Sequence, residues 1–391
     1  KRDSTAYNRQ ILAQTWTGRD VTARANLRTA FFLTFLLFGA CSSDAEKSSA
    51  DENVLNIYNW ADYIGPDTLE RFETEYGIKV HYDTYDSSEV LDVKLLAGNS
   101  GYDIVVHSNQ FASRLAPIGV FEKLDKTRFR NLGNLDPDVL ESIGVYQEVA
   151  DYNLPYHWGT TGYAWNVDMV RERLPDHPMD SGDVLFDPGV VSKIADCGVS
   201  LLDGPTDLIP MVLAYLGRDP NAVDDENLAA AEAQLKLVKP YIRYFSNQKM
   251  ISDLPNKEVC VAMSWSGDFA QAAARAAEVG LDIDLRYTVP KEGSGLWVDG
   301  LYIPSDAPHR DNAYKFLDFM MRADVAADIA NTVFYANANA ASWEFVKPEI
   351  LNNPSIFPDQ ETWSRLYPIR SADPKRERPR TRTFARVKSG I

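Results

Sequence analysis

Cysteine and histidine are scarce in this chain, three and five in 391 residues. That scarcity removes several kinds of chemistry. No C-x-x-C or Cys/His spacing builds a zinc site, and no metal spacing links the histidines; His81 falls in an expected strand and His157 among aromatics. There is no P-loop. "EGSGLW" is only a fragment of a dinucleotide loop, without its third glycine, and "MSWSGD" lacks the leading glycine of a nucleophile elbow. Positive charge is short as well: 40 Lys and Arg stand against 56 Asp and Glu, a net charge of −16. Such acidity disfavours nucleic acid and favours cations. Basic residues gather only between Pro374 and Lys388, where no aromatics interleave them, and this stretch reads as a solvated surface segment.

The N-terminal part has its own logic. Arg24 and Arg28 precede the apolar run "AFFLTFLLFGA" (Ala30–Ala40), which is too short to span a bilayer as a stable helix. A basic flank, a short apolar core and small residues at the exit make a secretory signal. "FGAC" resembles the lipobox of bacterial lipoproteins, with Phe38 where that motif prefers Leu, so lipidation is expected at Cys41, with plain signal-peptidase cleavage nearby as the alternative. Residues 1–40 are therefore expected to be an upstream extension (Lys1–Asn26) plus a signal peptide, and residues 41–53 a flexible linker. Without residues 1–40 the balance is 34 basic against 54 acidic side chains, or −20. With Cys41 lipidated, Cys197 and Cys260 are left as a pair in an oxidising compartment, and a disulfide is the natural reading.

The remainder is long for one core, so two lobes are expected. "VLNIYNW", "IKVHYDTY" and "YDIVVHS" read as strands separated by two helices, the first opened by Pro66 and stopped by Gly77. Strand and helix alternating within about fifty residues imply right-handed crossovers and a parallel sheet. Ligands bind beyond the carboxyl ends of such strands, where Trp60, Asp62 and Ser108 fall. Further on, "EVCVAMSW" reads as a strand running into the helix "SGDFAQAAARAAEVG", and "GLWVDGLYIP" as another strand.

Three tryptophan–acid pairs stand at strand ends: Trp60 with Asp62, Trp265 with Asp268, and Trp297 with Asp299. An indole face attracts a cation by about 0.5–2 kcal/mol, and a carboxylate adds a charge-assisted hydrogen bond to an ammonium. The ring also walls off methylenes, at about 0.8 kcal/mol per buried CH₂. Such a pocket suits ammonium heads on an alkyl stem. Paired carboxylates could also serve a secreted hydrolase, but no nucleophile–base arrangement accompanies them.

"LNIYNWADYIGPDTLERFETEYGIKV", "LPYHWGTTGYAWN", "VCVAMSWSGD" and "VFYANANAA", in this order, resemble the bacterial periplasmic polyamine-binding proteins, the putrescine/spermidine receptors of ABC importers. The likeness runs from about Val54 to Ile391. It implies a two-lobed α/β fold of the type II periplasmic-binding-protein kind. Each lobe would be a mostly parallel sheet flanked by helices, with the ligand in the interlobe cleft. Residues 54–158 and 287–340 are expected in the first lobe, and 159–286 and 341–391 in the second. The resemblance implies ligand contacts at Trp60, Asp62, Ser108, Asp207, Trp265, Asp268, Trp297, Asp299 and Tyr335, and a disulfide between Cys197 and Cys260. It implies no catalysis, cofactor or metal. The expected setting is a periplasmic monomer, held to the membrane only through a lipid anchor, that passes polyamine to permease subunits. A sensor reporting to a signalling partner is the alternative on the same fold.

Four positions depart from the pattern. Ala61 replaces a Ser or Thr. His107 replaces a Pro, which predicts a looser turn into Ser108. Asp207 replaces a Glu and is one methylene shorter. Trp297 replaces the Phe of putrescine-preferring relatives, and its larger face tilts the expectation towards spermidine.

Overall fold

The computed structural model describes residues 53–135, 137, 140, 146–370 and 374–390. Cys41, the segment 1–40 and nearly all of the linker lie outside them. Among the described residues eleven strands form one connected sheet system, whose main path runs through β2 (Lys79–Tyr85), β1 (Val54–Trp60), β3 (Ile104–Ser108), β9 (Ser294–Tyr302), β4 (Asn153–Asn166), β7 (Val261–Trp265), β5 (Val199–Leu201) and β6 (Ile242–Phe245); β8 (Leu285–Thr288), β10 (Ala336–Asn337) and β11 (Leu366–Pro368) pair at its side. Among the described residues no helix is long and apolar enough to cross a membrane.

The first half follows the expected alternation. β1 (Val54–Trp60) pairs in parallel with β2 (Lys79–Tyr85) and β3 (Ile104–Ser108). Between them lie α1 (Thr68–Tyr76), closed by Gly77 at φ 66°, and α2 (Ser88–Ala97), capped by the Ser87 side chain accepting the Val90 N–H. Helix α3 (Asn109–Leu115) follows β3 directly. Neighbouring strand residues feed opposite faces. Leu55, Ile57, Ile104 and Val106 enter one apolar cluster, and Tyr58 and Val105 enter another.

The sheet is more mixed than the sequence suggests. β4 (Asn153–Asn166) and β9 (Ser294–Tyr302) run antiparallel to each other, and β9 is antiparallel to β3. β4 is fourteen residues long and serves both lobes. Its first part pairs with β9, and its last part pairs with β7 (Val261–Trp265) and β8 (Leu285–Thr288). β7 continues in parallel to β5 (Val199–Leu201), and β5 to β6 (Ile242–Phe245). Around this second sheet pack α4 (Pro205–Tyr215), α5 (Asp225–Val238) and α6 (Ser266–Glu278), while α7 (Arg310–Met320) and α8 (Ala323–Val333) return to the first core. α5 ends before Pro240, as its missing N–H requires.

The segment 341–391, expected whole in the second lobe, divides. Val346, Ile350 and Ile356 pack with Tyr58, Leu91 and Val298, and β11 (Leu366–Pro368) pairs with β9. Only the terminal α9 (Pro374–Ser389) joins the second lobe, through Phe384 and Val387. α9 is not a merely solvated tail either: Phe384, Val387 and Arg380 are all buried.

Cys197 and Cys260 form a disulfide, 63 residues apart in sequence, that ties the approach to β5 to the approach to β7. Closing a loop of that length removes on the order of 4 kcal/mol of unfolded-state entropy. Replacing both cysteines by alanine should lower unfolding free energy by about 2–4 kcal/mol in a denaturant titration. The melting temperature of the wild type should fall on reduction, and that of the double variant should not respond.

Candidate functional site

Three strand ends and one continuous strand meet at one place. β1 ends at Trp60, β3 at Ser108 and β7 at Trp265, and β9 passes through with Trp297 and Asp299. The space they surround is a cleft open to solvent, and all nine residues expected to touch ligand line it. The nine come from distant parts of the chain, so their convergence is a product of topology.

Two acids stand at helix starts. Asp268 is in the first turn of α6 and Asp207 in the first turn of α4, where the helix dipole favours negative charge. Asp299 sits on β9, directly opposite Ser108 in the antiparallel register. Burial pushes the Asp268 carboxyl up to about 7; the Tyr335 hydroxyl, donating to Oδ1 at 2.7 Å, pulls the other way, and the nearby Asp62 charge adds to the rise. Burial also lifts Asp299 to about 7 against the pull of the Tyr63 and Ser108 hydroxyls. Asp207 is raised by burial too, against hydrogen bonds to Oδ1 from Trp265 Nε1 (3.1 Å) and Thr161 Oγ1 (3.2 Å). Asp207 therefore orients the Trp265 ring as well as carrying charge.

The aromatics face one another across the cleft. Trp60 and Trp265, on different lobes, have centroids 6.5 Å apart, and Trp60 leans on Tyr85 at 4.4 Å. Trp297 meets Tyr335 edge-on at 5.2 Å. Two glycines make this packing possible. A Cβ on Gly267 would lie 2.3–2.4 Å from the Tyr335 ring, and one on Gly159 would lie 2.6 Å from Trp297 Cζ2. Nothing in the sequence alone singles these glycines out, because their partners are remote in the chain.

Several contacts join the lobes at the cleft. The Asp268 backbone N–H donates to the Tyr335 hydroxyl at 3.1 Å, and Gln271 Nε2 donates to the Val333 carbonyl at 3.4 Å. Asp62 lies at the rim in a left-handed conformation (φ 53°), its side chain 65% exposed, with Arg275 of α6 at 3.5 Å. It guards the mouth, whereas Asp268 and Asp299 lie inside.

His107, expected to loosen the turn into Ser108, tightens it. Its Nδ1 accepts the Ser108 backbone N–H at 3.0 Å, and its Nε2 lies 2.9 Å from Asp92 Oδ1. Asp92 also takes Arg114. The ring is fully buried, so a histidine does by hydrogen bonding what a proline does by covalent restraint. Gln110, absent from the expected set, lines the cleft at 4% exposure, and its Oε1 has no partner among the described residues. A glutamine at a helix start carries no signal that could have marked it.

An aromatic-walled cleft between two α/β lobes, lined by buried carboxylates, has the build of a receptor for a small solute. The profile of the bacterial extracellular solute-binding protein family matches residues 67–358, and the chain belongs to that family. It is 42% identical over 359 residues to the putrescine-binding periplasmic protein SpuD of Pseudomonas aeruginosa, covering 92% of this chain and 97% of that one. It is 44% identical over 345 residues to the putrescine-binding periplasmic protein PotF of Escherichia coli, covering 88% and 93%. Among solved structures, a candidate spermidine/putrescine ABC transporter protein of Listeria monocytogenes superposes with a TM-score of 0.77 at 31% identity, over 87% of this chain and all of that one.

The raised acids carry a stability signature. Between the unfolded carboxylate value near 4 and the native value near 7, the folded protein holds protons that the unfolded chain has released. Stability of the ligand-free protein should therefore fall as pH rises from about 4 to about 7 and level off above. At pH 8, Asp268→Asn and Asp299→Asn should each raise unfolding free energy, by up to ~4 kcal/mol, as read by denaturant titration. Gly267→Ala should displace Tyr335 and weaken ligand binding without removing any charged group.

Proposed function

We propose that this chain is an extracytoplasmic receptor for a linear aliphatic diamine of the putrescine type, which it delivers to the membrane subunits of an ABC importer. The observation that carries the reading is the pair of buried acids, Asp268 and Asp299, inside a cleft walled by Trp60, Trp265, Trp297 and Tyr335. An ammonium at each acid replaces the hydration lost on burial, and the indole and phenol faces cover the methylenes between them. Asp207 and the rim residue Asp62 supply further negative charge. The periplasmic names of the relatives at 42 and 44% identity support the same compartment for this chain.

The tilt towards spermidine gives way to putrescine. Both of those relatives bear putrescine alone in their names, whereas the spermidine/putrescine-binding periplasmic protein of Escherichia coli is 33% identical. A physical reason accompanies this. The six-membered ring of Trp297, the part by which Trp exceeds Phe, lies over the missing side chain of Gly159. Its bulk is taken up by the wall and need not extend along the ligand.

Melting curves with putrescine, cadaverine, spermidine and spermine test the reading. A ligand at a hundred times its dissociation constant stabilises by about 2.7 kcal/mol, and putrescine should give the largest shift at equal concentration. No shift with any of the four would remove the polyamine assignment. Because both acids must ionise to hold a dication, putrescine affinity should drop as pH falls below 7, approaching tenfold per pH unit for each carboxyl. Calorimetry at pH 6, 7 and 8 in two buffers of different ionisation enthalpy should show the matching proton release. Asp268→Asn should cost at least tenfold in affinity, by leaving an ammonium without its counter-charge.

A further inference from the structure

A second concavity lies on the seam between the lobes, away from the ligand cleft. One wall is α2 and α3, packed in the first lobe's core through Leu91, Leu95 and Leu115; the other is α9, packed in the second. The groove is open to solvent, and Leu96, Leu115, Ile118 and Ala385 give it an apolar lining. Leu96 and Ile118 are 58% and 64% exposed, unusual for large apolar side chains.

Its charges are sorted in a particular way. Asp92 is engaged by His107 and Arg114, and Glu377 by the buried Arg380 at 3.1 Å. The acids of the groove are thus neutralised from within. Arg378 and Arg382 remain on its edge, exposed and with no ion pair among the described residues. Two cations unpaired among the described residues, beside an apolar lining, stand out on a chain whose net charge is −16.

We propose that this groove docks a segment of the partner membrane protein, one that presents carboxylates beside a large apolar side chain. The proposal rests on the receptor reading above. Charge complementarity calls for an anionic partner, and the concave apolar floor fits an inserted side chain better than a flat bilayer, which an acidic protein would also avoid. Both walls connect to the ligand. α2 runs from Ser88 and Glu89 in the ligand cleft to Leu96 in the groove; α9 runs from Arg382 in the groove to Lys388, which pairs with Asp203 of the ligand cleft at 2.6 Å. Since the walls belong to different lobes, the groove's width changes with lobe angle, and the partner reads the closed arrangement.

The test uses the full chain and its cognate membrane complex in liposomes, with ATP hydrolysis followed against receptor concentration at saturating putrescine. Arg378→Glu combined with Arg382→Glu should raise the half-maximal receptor concentration about tenfold and abolish its dependence on NaCl. The putrescine melting shift should stay unchanged. Leu96→Ala with Ile118→Ala, both at exposed positions, should raise the half-maximal concentration as well. An activation curve for the arginine variant identical to wild type would overturn the proposal. So would sedimentation of wild type, but not the variant, with phosphatidylglycerol vesicles, which would make the surface lipid-binding. Absence of a melting shift in the wild type would instead strike the polyamine reading.

Discussion

Taking a carboxylate out of water costs several kcal/mol unless donors or a cation replace the lost hydration, and this protein does so twice within one cleft. Asp268 and Asp299 are buried and lifted to about 7. Tyr335, Tyr63 and Ser108 recover only part of that cost. In the proposed reading, the surrounding architecture holds these acids where a cation offsets their charge. Helix starts carry Asp268 and Asp207, a strand register sets Asp299 opposite Ser108, and two glycines let the rings close over them. Binding strength and intrinsic stability are therefore set against each other at the same residues.

The lobes share more than a ligand. Tyr335 of one reaches Asp268 of the other, the Trp60 and Trp265 rings meet across the gap, and Arg275 reaches Asp62 at the mouth. The inner contacts involve groups proposed to touch the ligand, so occupancy and lobe closure are linked through the same atoms. The rim pair is exposed, and salt screens it most.

Much of this was legible in the sequence. β1 coincides with "VLNIYNW", and the strand-to-helix turn at Trp265 and Ser266 falls where the apolar run gives way to a glycine-containing helix start. The tryptophan–acid pairs were visible because each combines two informative residue types, although Trp297 and Asp299 lie inside β9 and not at a strand end as expected. What escaped depends on partners remote in the chain. Gly159 and Gly267 look ordinary until Trp297 and Tyr335 are placed against them. His107 looked like a lost proline until Asp92, fifteen residues earlier, came within 2.9 Å. The basic C-terminal stretch looked solvated because its burial alternates with charge along one helix, leaving Arg380, Phe384 and Val387 inside and Arg378 and Arg382 outside. Asp62 was paired with Trp60 by its position after a strand, and only its exposed side chain and left-handed backbone place it at the mouth.

The fourteen-residue β4 has a mechanical consequence. It passes from the first sheet into the second without leaving its hydrogen-bonded ladder, with Gly159 pairing to Trp297 and Thr161 to Trp265. The amides and carbonyls at this passage are committed to neighbouring strands, so any bend between the two sheets has to act on paired backbone and not on a free loop. The same strand shapes the cleft, since its Gly159 leaves the space that the Trp297 ring fills.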